Sequence, residues 1–517
     1  MLDLKRVSHA SLFLLAFSLV RTALSVAVKS STALFFGAAS ATDAYFAAFT
    51  IPQQIGDFLF GGIFFLLVIP LFNKRKQEAG EQVAFEEINL TLNLSFAGLV
   101  VITVLYFAAA PLIIHALFPG FPPDVNAQAI LFARLFSPAV LLMGLSLVYA
   151  SLYHIHKDFT TPTLAGLLFP VSSLAAMWLL PDSWGISRLI FGNLAGMAAG
   201  LVIMMLAIRR KFKWNFRSWR LSNQLIRQMA ALSWPIILAV LMGRVVALVE
   251  RNAASLLREP GMITMLEYSF FIFNFIIAFG TQPLLTAVFP VLSEQFNEND
   301  HRTVAATFTR TLRILLFLCV PFTAFFAIQS TEIVELVFKY GKFTEQQSST
   351  CSRMLLILST AAVTVAVDGL VGRMLLAIHS IRFINLLRAF VEGASIPLYY
   401  VASGYWGIYG IVATSSLFYF VMAVCGLVVL SRHNRAIEFS SVALSVLRLL
   451  IPCGVMALVM CGVIHLMRGA PSLGRFAAVS GVGVCSFVLI AALMKVEELG
   501  FIAARIPFLG LLRKTRG

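Results

Sequence analysis

Fourteen apolar runs, each long enough to cross about 30 Å of hydrocarbon, constrain this chain more than any motif in it. They fall at roughly 9–34, 41–72, 87–118, 127–155, 160–180, 186–208, 229–257, 262–292, 304–329, 348–379, 383–403, 406–431, 440–467 and 476–494. Only 12% of the 517 residues are charged, 59% are hydrophobic, and the mean hydropathy is +0.89. Soluble domains carry about one quarter charged residues, so the reading is an all-α polytopic membrane protein of about 14 transmembrane helices. The first run follows Lys5 and Arg6 and continues to Val28 without a small-residue cleavage site. It therefore reads as a span rather than a cleaved leader.

An even number of spans puts both termini on one side, and the loop charges say which. With the termini in the cytoplasm, 22 lysines and arginines fall in inner segments and 6 in outer ones. This is the positive-inside pattern. The net charge of +15 is then explained by an anionic inner leaflet, and nucleic acid is not implied. The six cysteines are scattered through apolar runs without CxxC spacing, so neither metal nor redox chemistry is indicated.

Two short matches suggest a duplication. Val68-Ile69-Pro70-Leu71-Phe72 in the second run resembles Val288-Phe289-Pro290-Val291-Leu292 in the eighth, an offset of 220. Leu152-Tyr153-His154-Ile155-His156 resembles Leu375-Leu376-Ala377-Ile378-His379, an offset of 223. Two six-helix halves follow, parallel because six is even. The domains expected are residues 1–218 for spans one to six, 219–435 for spans seven to twelve, and 436–517 for two added helices and a cytoplasmic tail.

Charges inside the spans point to function, because an intramembrane ionisable group faces a cavity or a partner. The stretch from Phe36 to Phe72 carries Asp43, Gln53, Gln54 and Asp57 and is interrupted by Pro52 and Gly56. It reads as a bent helix beside a wet interior, since the carbonyl a proline frees must be satisfied there. Arg21 and Lys29 lie deep in span one, and Arg244 and Arg251 lie seven apart on one face of span seven, with Glu250 beside Arg251. Together with Asp43, these four bases are the candidate cavity lining, since guanidinium forks suit phosphate oxygens. Arg388 and Glu392 are expected to pair at i,i+4, and Asp368 with Arg373. Arg310, Arg313 and Arg448 lie near helix ends and are expected to snorkel. Asp57, Glu250, Asp368, Arg373, Arg388 and Glu392 are thus structural or coupling pairs. No GxSxG, Walker or HExxH motif occurs, and no soluble nucleotide domain is present, so transport without a cofactor is the expected class.

The residues also carry a resemblance. Phe36-Gly37-Ala38, Ala41-Thr42-Asp43-Ala44-Tyr45-Phe46, Ile51-Pro52 and Ile69-Pro70 resemble the second-helix signature of MurJ-type lipid II flippases in the MOP superfamily. Tyr340-Gly341-Lys342-Phe343-Thr344 resembles the stretch those proteins carry before helix ten. The resemblance covers nearly the whole chain. It implies two lobes in a V shape, alternating access, and a groove on the last two helices for a polyprenyl tail. It also implies arginines on helices one, two and eight facing a diphosphate. Arg21 fits the first place and Lys29 is a substitute base, but Gly56-Asp57 and Phe270-Phe271 stand at the others.

The implied function is translocation of an undecaprenyl-diphosphate-linked saccharide, lipid II, across the bacterial cytoplasmic membrane. Its partners are that lipid, the bilayer, and a monovalent cation or the membrane potential. The alternatives are a flippase for another lipid-linked oligosaccharide, a MATE-like antiporter, or a membrane glycosyltransferase. The last would need large outer loops with catalytic groups, and the outer loops here are short.

Overall fold

In the computed structural model the described residues are 4–58, 72, 76–78, 80–209, 212, 214–215, 241–298, 300–378, 381–433, 439–467, 469 and 471–503, with side chains of the first helix described from Phe17 onward. Among them the chain is helical, and every predicted apolar run holds a helix. In order these are α1 (Leu4–Phe36), α2 (Ser40–Phe58), α3 (Glu81–Leu117), α4 (Pro123–Ile155), α5 (Thr160–Leu179), α6 (Ser187–Ile208) and α7 (241–256). There follow α8 (Met262–Gly280), α9 (Gln282–Asn297), α10 (His301–Ile328), α11 (Ser330–Phe338), α12 (Glu345–Ala377), α13 (Ile381–Trp406) and α14 (Ile408–His433). The last three are α15 (Phe439–Leu466), α16 (Ser472–Leu493) and α17 (Glu497–Ala503). Nine helices among the described residues are long and apolar enough to cross a membrane, or eleven if α8 with α9 and the bent α12 each count as one span. Helices α2, α7 and α13 occupy the other three predicted runs; residues 59–71 and 229–240 of those runs lie outside the described residues, as does the Val68–Leu71 repeat segment.

The chain forms two compact units, residues 1–264 with 340–344, and residues 265–339 with 345–517. Within the first, α4 packs against α2, α3 and α6, and α5 packs against α6. Within the second, α12 packs against α9, α10 and α14, and α13 packs against α14. These are the same four pairings six spans apart. The duplication inferred from two short matches is therefore present in the packing. The added helices α15 and α16 pair with each other, and α15 lies along α10 in the second unit.

Without a hydrophobic drive between helices, small residues decide how closely they approach. On α6, Gly192, Gly196 and Gly200 recur every fourth residue and face α5. A Cβ at Gly196 would come within 2.6 Å of the Leu168 carbonyl, and one at Gly200 within 2.8 Å of the Ala165 carbonyl. In the second unit the matching pair again brings backbone close, since a Cβ at Gly410 of α14 would strike the Ala402 carbonyl of α13, while large side chains fill the α10–α12 contact. Phe308, Leu312 and Leu315 of α10 bury against Leu370, Val371 and Met374 of α12 and Met422 of α14.

The predicted break at Pro52 is met in an unexpected way. Pro52 lies inside α2 and cannot donate to the Ala48 carbonyl one turn earlier. The buried Tyr106 hydroxyl of α3 donates to that carbonyl at 2.8 Å. In α4 the carbonyl freed by Pro138, that of Arg134, accepts from the Ser137 hydroxyl at 2.8 Å. Protein groups, rather than a wet interior, satisfy both. Replacing Tyr106 with Phe should cost about 1–3 kcal/mol through the stranded Ala48 carbonyl. The purified protein would then show a lower thermal unfolding midpoint, and an unchanged midpoint would mean that water takes the hydroxyl's place.

Candidate functional site

One end of the first unit is closed by short segments from four places in the chain: residues 37–43, 118–123, 255–264 and 340–344. Gly37 turns the chain from α1 into α2 with φ +65°, and Thr42 fixes that turn, its hydroxyl accepting from Ala39 N–H at 2.7 Å. The Tyr340–Thr344 stretch docks here through Lys342 N–H, which donates to the Leu34 carbonyl at 3.1 Å. Gly341 has φ +58°, and a Cβ there would collide with the same carbonyl. A side chain at Gly120 would likewise strike the backbone of Ser255. Only glycine permits these approaches.

Asp43 is the centre of this end. It lies in the first turn of α2 and is 3% exposed. One carboxylate oxygen accepts from Gly261 N–H at 2.6 Å; the other accepts from Thr264 N–H at 2.8 Å and from the Thr264 hydroxyl at 2.7 Å. Asp43 therefore caps α8 from a distance of more than 200 residues along the chain. Its charge faces the positive ends of two helices, α2 and α8, which lets a carboxylate stay buried without a salt bridge. The cavity it borders is about 30 Å³, room for one water and not for a headgroup. The Asp43 partners seen here are two backbone amides and the Thr264 hydroxyl.

The four candidate bases all belong to this unit. Lys29 on α1 is half-buried, its ammonium 4.3 Å from the Phe46 ring centre. Arg21 is exposed two turns earlier. On α7, Arg244 and Arg251 are half-buried, as is Glu250, and Arg251 donates to the Ala247 carbonyl at 2.7 Å. At 1.5 Å per residue, Lys29 and Arg251 lie about 10 Å and about 8 Å from the ends of their helices, and Arg21 and Arg244 about 22 Å and about 18 Å. The bases thus occupy two levels behind the closed end. Asp57 lies in α2, with its side chain outside the described residues. Phe270 and Phe271 are half-buried on α8.

In the second unit the expected pairs are rearranged. Arg388 of α13 donates to Asp368 of α12 at 2.6 Å, so Asp368 does not pair with Arg373. Glu392 is buried one turn from Arg388 and adds to its field, while Arg373 is half-buried. Arg313 does not snorkel, but binds Glu497 and Glu498 of α17, each at 2.7 Å. Sequence reading also missed Arg188, which is 4% exposed, bound to Asp182 at 2.7 Å and packed on Phe35 and Phe36. The adjacent Pro181–Asp182 turn was the available signal. Among the described residues no cluster of His, Cys, Asp and Glu is arranged to hold a metal.

A family model described as lipid II flippase MurJ matches residues 32–480. Lipid II flippase MurJ of Burkholderia cenocepacia is 22% identical over 355 residues, 67% of this chain and 69% of its own. A Thermotoga maritima protein described as a probable lipid II flippase MurJ is 23% identical over 91% of this chain and 93% of its own. Among solved structures, lipid II flippase MurJ in an inward closed conformation superposes with a TM-score of 0.77 at 17% identity, covering 93% of this chain and 98% of that one. An inward-facing multidrug resistance MATE family transporter of the MOP superfamily gives 0.66 at 15% identity over 81% and 96%.

The cap makes a local prediction. Asp43→Ala should remove about 1–2 kcal/mol of support from the start of α8 and speed hydrogen exchange at the 261–266 amides. Asp43→Asn, which keeps one acceptor oxygen, should show a smaller effect, and equal protection in all three proteins would exclude the cap as a stabilising contact.

Proposed function

The chain belongs to the MurJ lipid II flippase family, and from that premise we propose that it carries lipid II from the inner to the outer leaflet of the bacterial cytoplasmic membrane, as a transporter rather than an enzyme. The observation that supports this reading most is the pairing, in one unit, of a closed end around Asp43 with two levels of basic side chains behind it. Arg21, Lys29, Arg244 and Arg251 attract the diphosphate and its saccharide while the outer end is shut. Breaking the three Asp43 hydrogen bonds opens that end and releases the headgroup outward. The inner-leaflet state resets when the cap re-forms, driven by a monovalent cation or the membrane potential. Both termini are cytoplasmic.

The polyprenyl tail stays in lipid, since exposing it to water costs about 0.8 kcal/mol for each CH₂. Helices α15 and α16 present it with apolar outer faces, Leu447 and Leu458 among them. The arginines expected on helices two and eight are replaced here by Gly56-Asp57 and Phe270-Phe271. Arg244 and Arg251 of α7 take over that charge. A different lipid-linked oligosaccharide is the second reading, favoured by those same replacements.

Expression of this chain during depletion of a host's own lipid II flippase tests the reading. Survival, with labelled lipid II reaching the outer leaflet, is the expected result. Arg21→Ala and Arg251→Ala should each lower that transport about tenfold, the effect of losing one charged hydrogen bond to phosphate. Lysis despite confirmed membrane expression, with polysaccharide export restored instead, would establish the second reading.

A further inference from the structure

A cavity of about 660 Å³ opens in the second unit between the first turns of α10, the start of α15 and the short helix α17. Nothing in the proposed transport cycle uses it. Arg302, Arg310 and Arg313 line it from one face of α10, with Arg310 and Arg313 neighbours at i,i+3 and Arg302 two turns before Arg310. Like charges so placed repel one another unless an anion lies among them. Glu497 and Glu498 answer only part of this charge, and both are committed to Arg313. That engagement holds the exposed Glu497 carboxyl below the usual carboxylate range. Arg302 and Arg310 have no carboxylate partner among the described residues; Arg310 lies 4.0 Å over the Phe501 ring. Three arginines against two glutamates leave one positive charge in the lining, and Arg448 adds to it from nearby.

A second observation points to a ligand. Thr309, 8% exposed, lines the same cavity, and its hydroxyl has no hydrogen-bond partner. A buried hydroxyl without a partner costs about 1–3 kcal/mol, and an anion oxygen beside Arg310 and Arg313 would accept from it. The surroundings are those of a bilayer. Beside Ser441 at the cavity wall, α15 exposes Leu444 and Leu447, 49% and 60% accessible, one turn and two turns further along. A headgroup in the cavity would have its chains against that face.

We propose that this cavity binds the phosphodiester headgroup of an anionic membrane lipid of the inner leaflet, held by Arg302, Arg310, the remaining guanidinium edge of Arg313 and the Thr309 hydroxyl. A singly charged phosphodiester matches the lining better than a diphosphate does. The cytoplasmic placement rests on the proposed orientation, and the site is independent of the cargo. Bound lipid neutralises the α10 stripe and fixes α17 against α10 and α15.

Native mass spectrometry of the full chain with phosphatidylglycerol and phosphatidylethanolamine tests this. One phosphatidylglycerol should be retained about tenfold more strongly than phosphatidylethanolamine. The Arg302→Gln/Arg310→Gln double variant, altered only at exposed positions, should lose that preference, and Thr309→Val should weaken it several-fold. An unchanged thermal midpoint in lipid-free detergent would show the variants folded. Equal retention by wild type and double variant would overturn the proposal. Displacement by millimolar inorganic phosphate would overturn the lipid assignment in favour of free phosphate, and stronger displacement by undecaprenyl diphosphate would make it a site for the carrier. Because the readout is binding, it stands or falls separately from the flipping assay.

Discussion

Inside hydrocarbon no water is at hand to satisfy a backbone group, and the architecture answers that constraint with side chains at three places. Pro52 frees the Ala48 carbonyl, and a tyrosine from the next helix takes it. Pro138 frees the Arg134 carbonyl, and the neighbouring serine takes it. The start of α8 exposes amides that have no partner in their own helix, and Asp43 takes two of them. In each case the polar side chain that looks out of place in an apolar run is the partner of a defect elsewhere. Asp43, Tyr106 and Ser137 thus belong to the backbone accounting of the fold before they belong to any mechanism.

The two units repeat the same pairings and share two kinds of helix contact. Backbone meets backbone at glycines between α5 and α6 and between α13 and α14, while phenylalanine and leucine side chains join α10 and α12. The added pair α15 and α16 is secured to the second unit at both ends by ions. Arg313 holds α17 at one end, and Arg475 of α16 reaches Glu332 of α11 at 3.3 Å at the other. Glu332 is 5% exposed, so the second contact lies within the protein rather than on its surface. Between these two ionic ends the contact is apolar, with Phe317 and Phe487 5.5 Å apart and Leu449 and Met460 fully buried.

Much of this was legible in one dimension. Apolar run length gave the positions of the long helices, Pro-bounded helix ends gave the duplication, and the Ala41–Phe46 signature gave the family. What remained hidden was the choice of partner. Asp368 chose Arg388 on another helix over Arg373 five residues away, and Arg313 chose two glutamates 184 and 185 residues later. Burial drives these choices, and a sequence does not display burial between helices. The role of Asp43 was hidden more deeply, because two of its three contacts are main-chain amides, which every residue except proline carries. Gly341 is the intermediate case: its stretch stood out as a family resemblance, but the carbonyl that forbids a side chain there belongs to Leu34.

The asymmetry of the Asp43 contact has an evolutionary side. On the α2 side the contact depends on one carboxylate; on the α8 side it depends mainly on backbone N–H groups, with Thr264 adding a hydroxyl. Positions around the start of α8 can therefore drift through most of the amino-acid alphabet while keeping the contact, as long as proline stays out and glycine keeps its turn at residue 261, where φ is +86°. Position 43 has no such latitude. A sequence lineage built this way would record the contact as one fixed acid facing a variable segment, so a search for paired substitutions across it would find almost nothing.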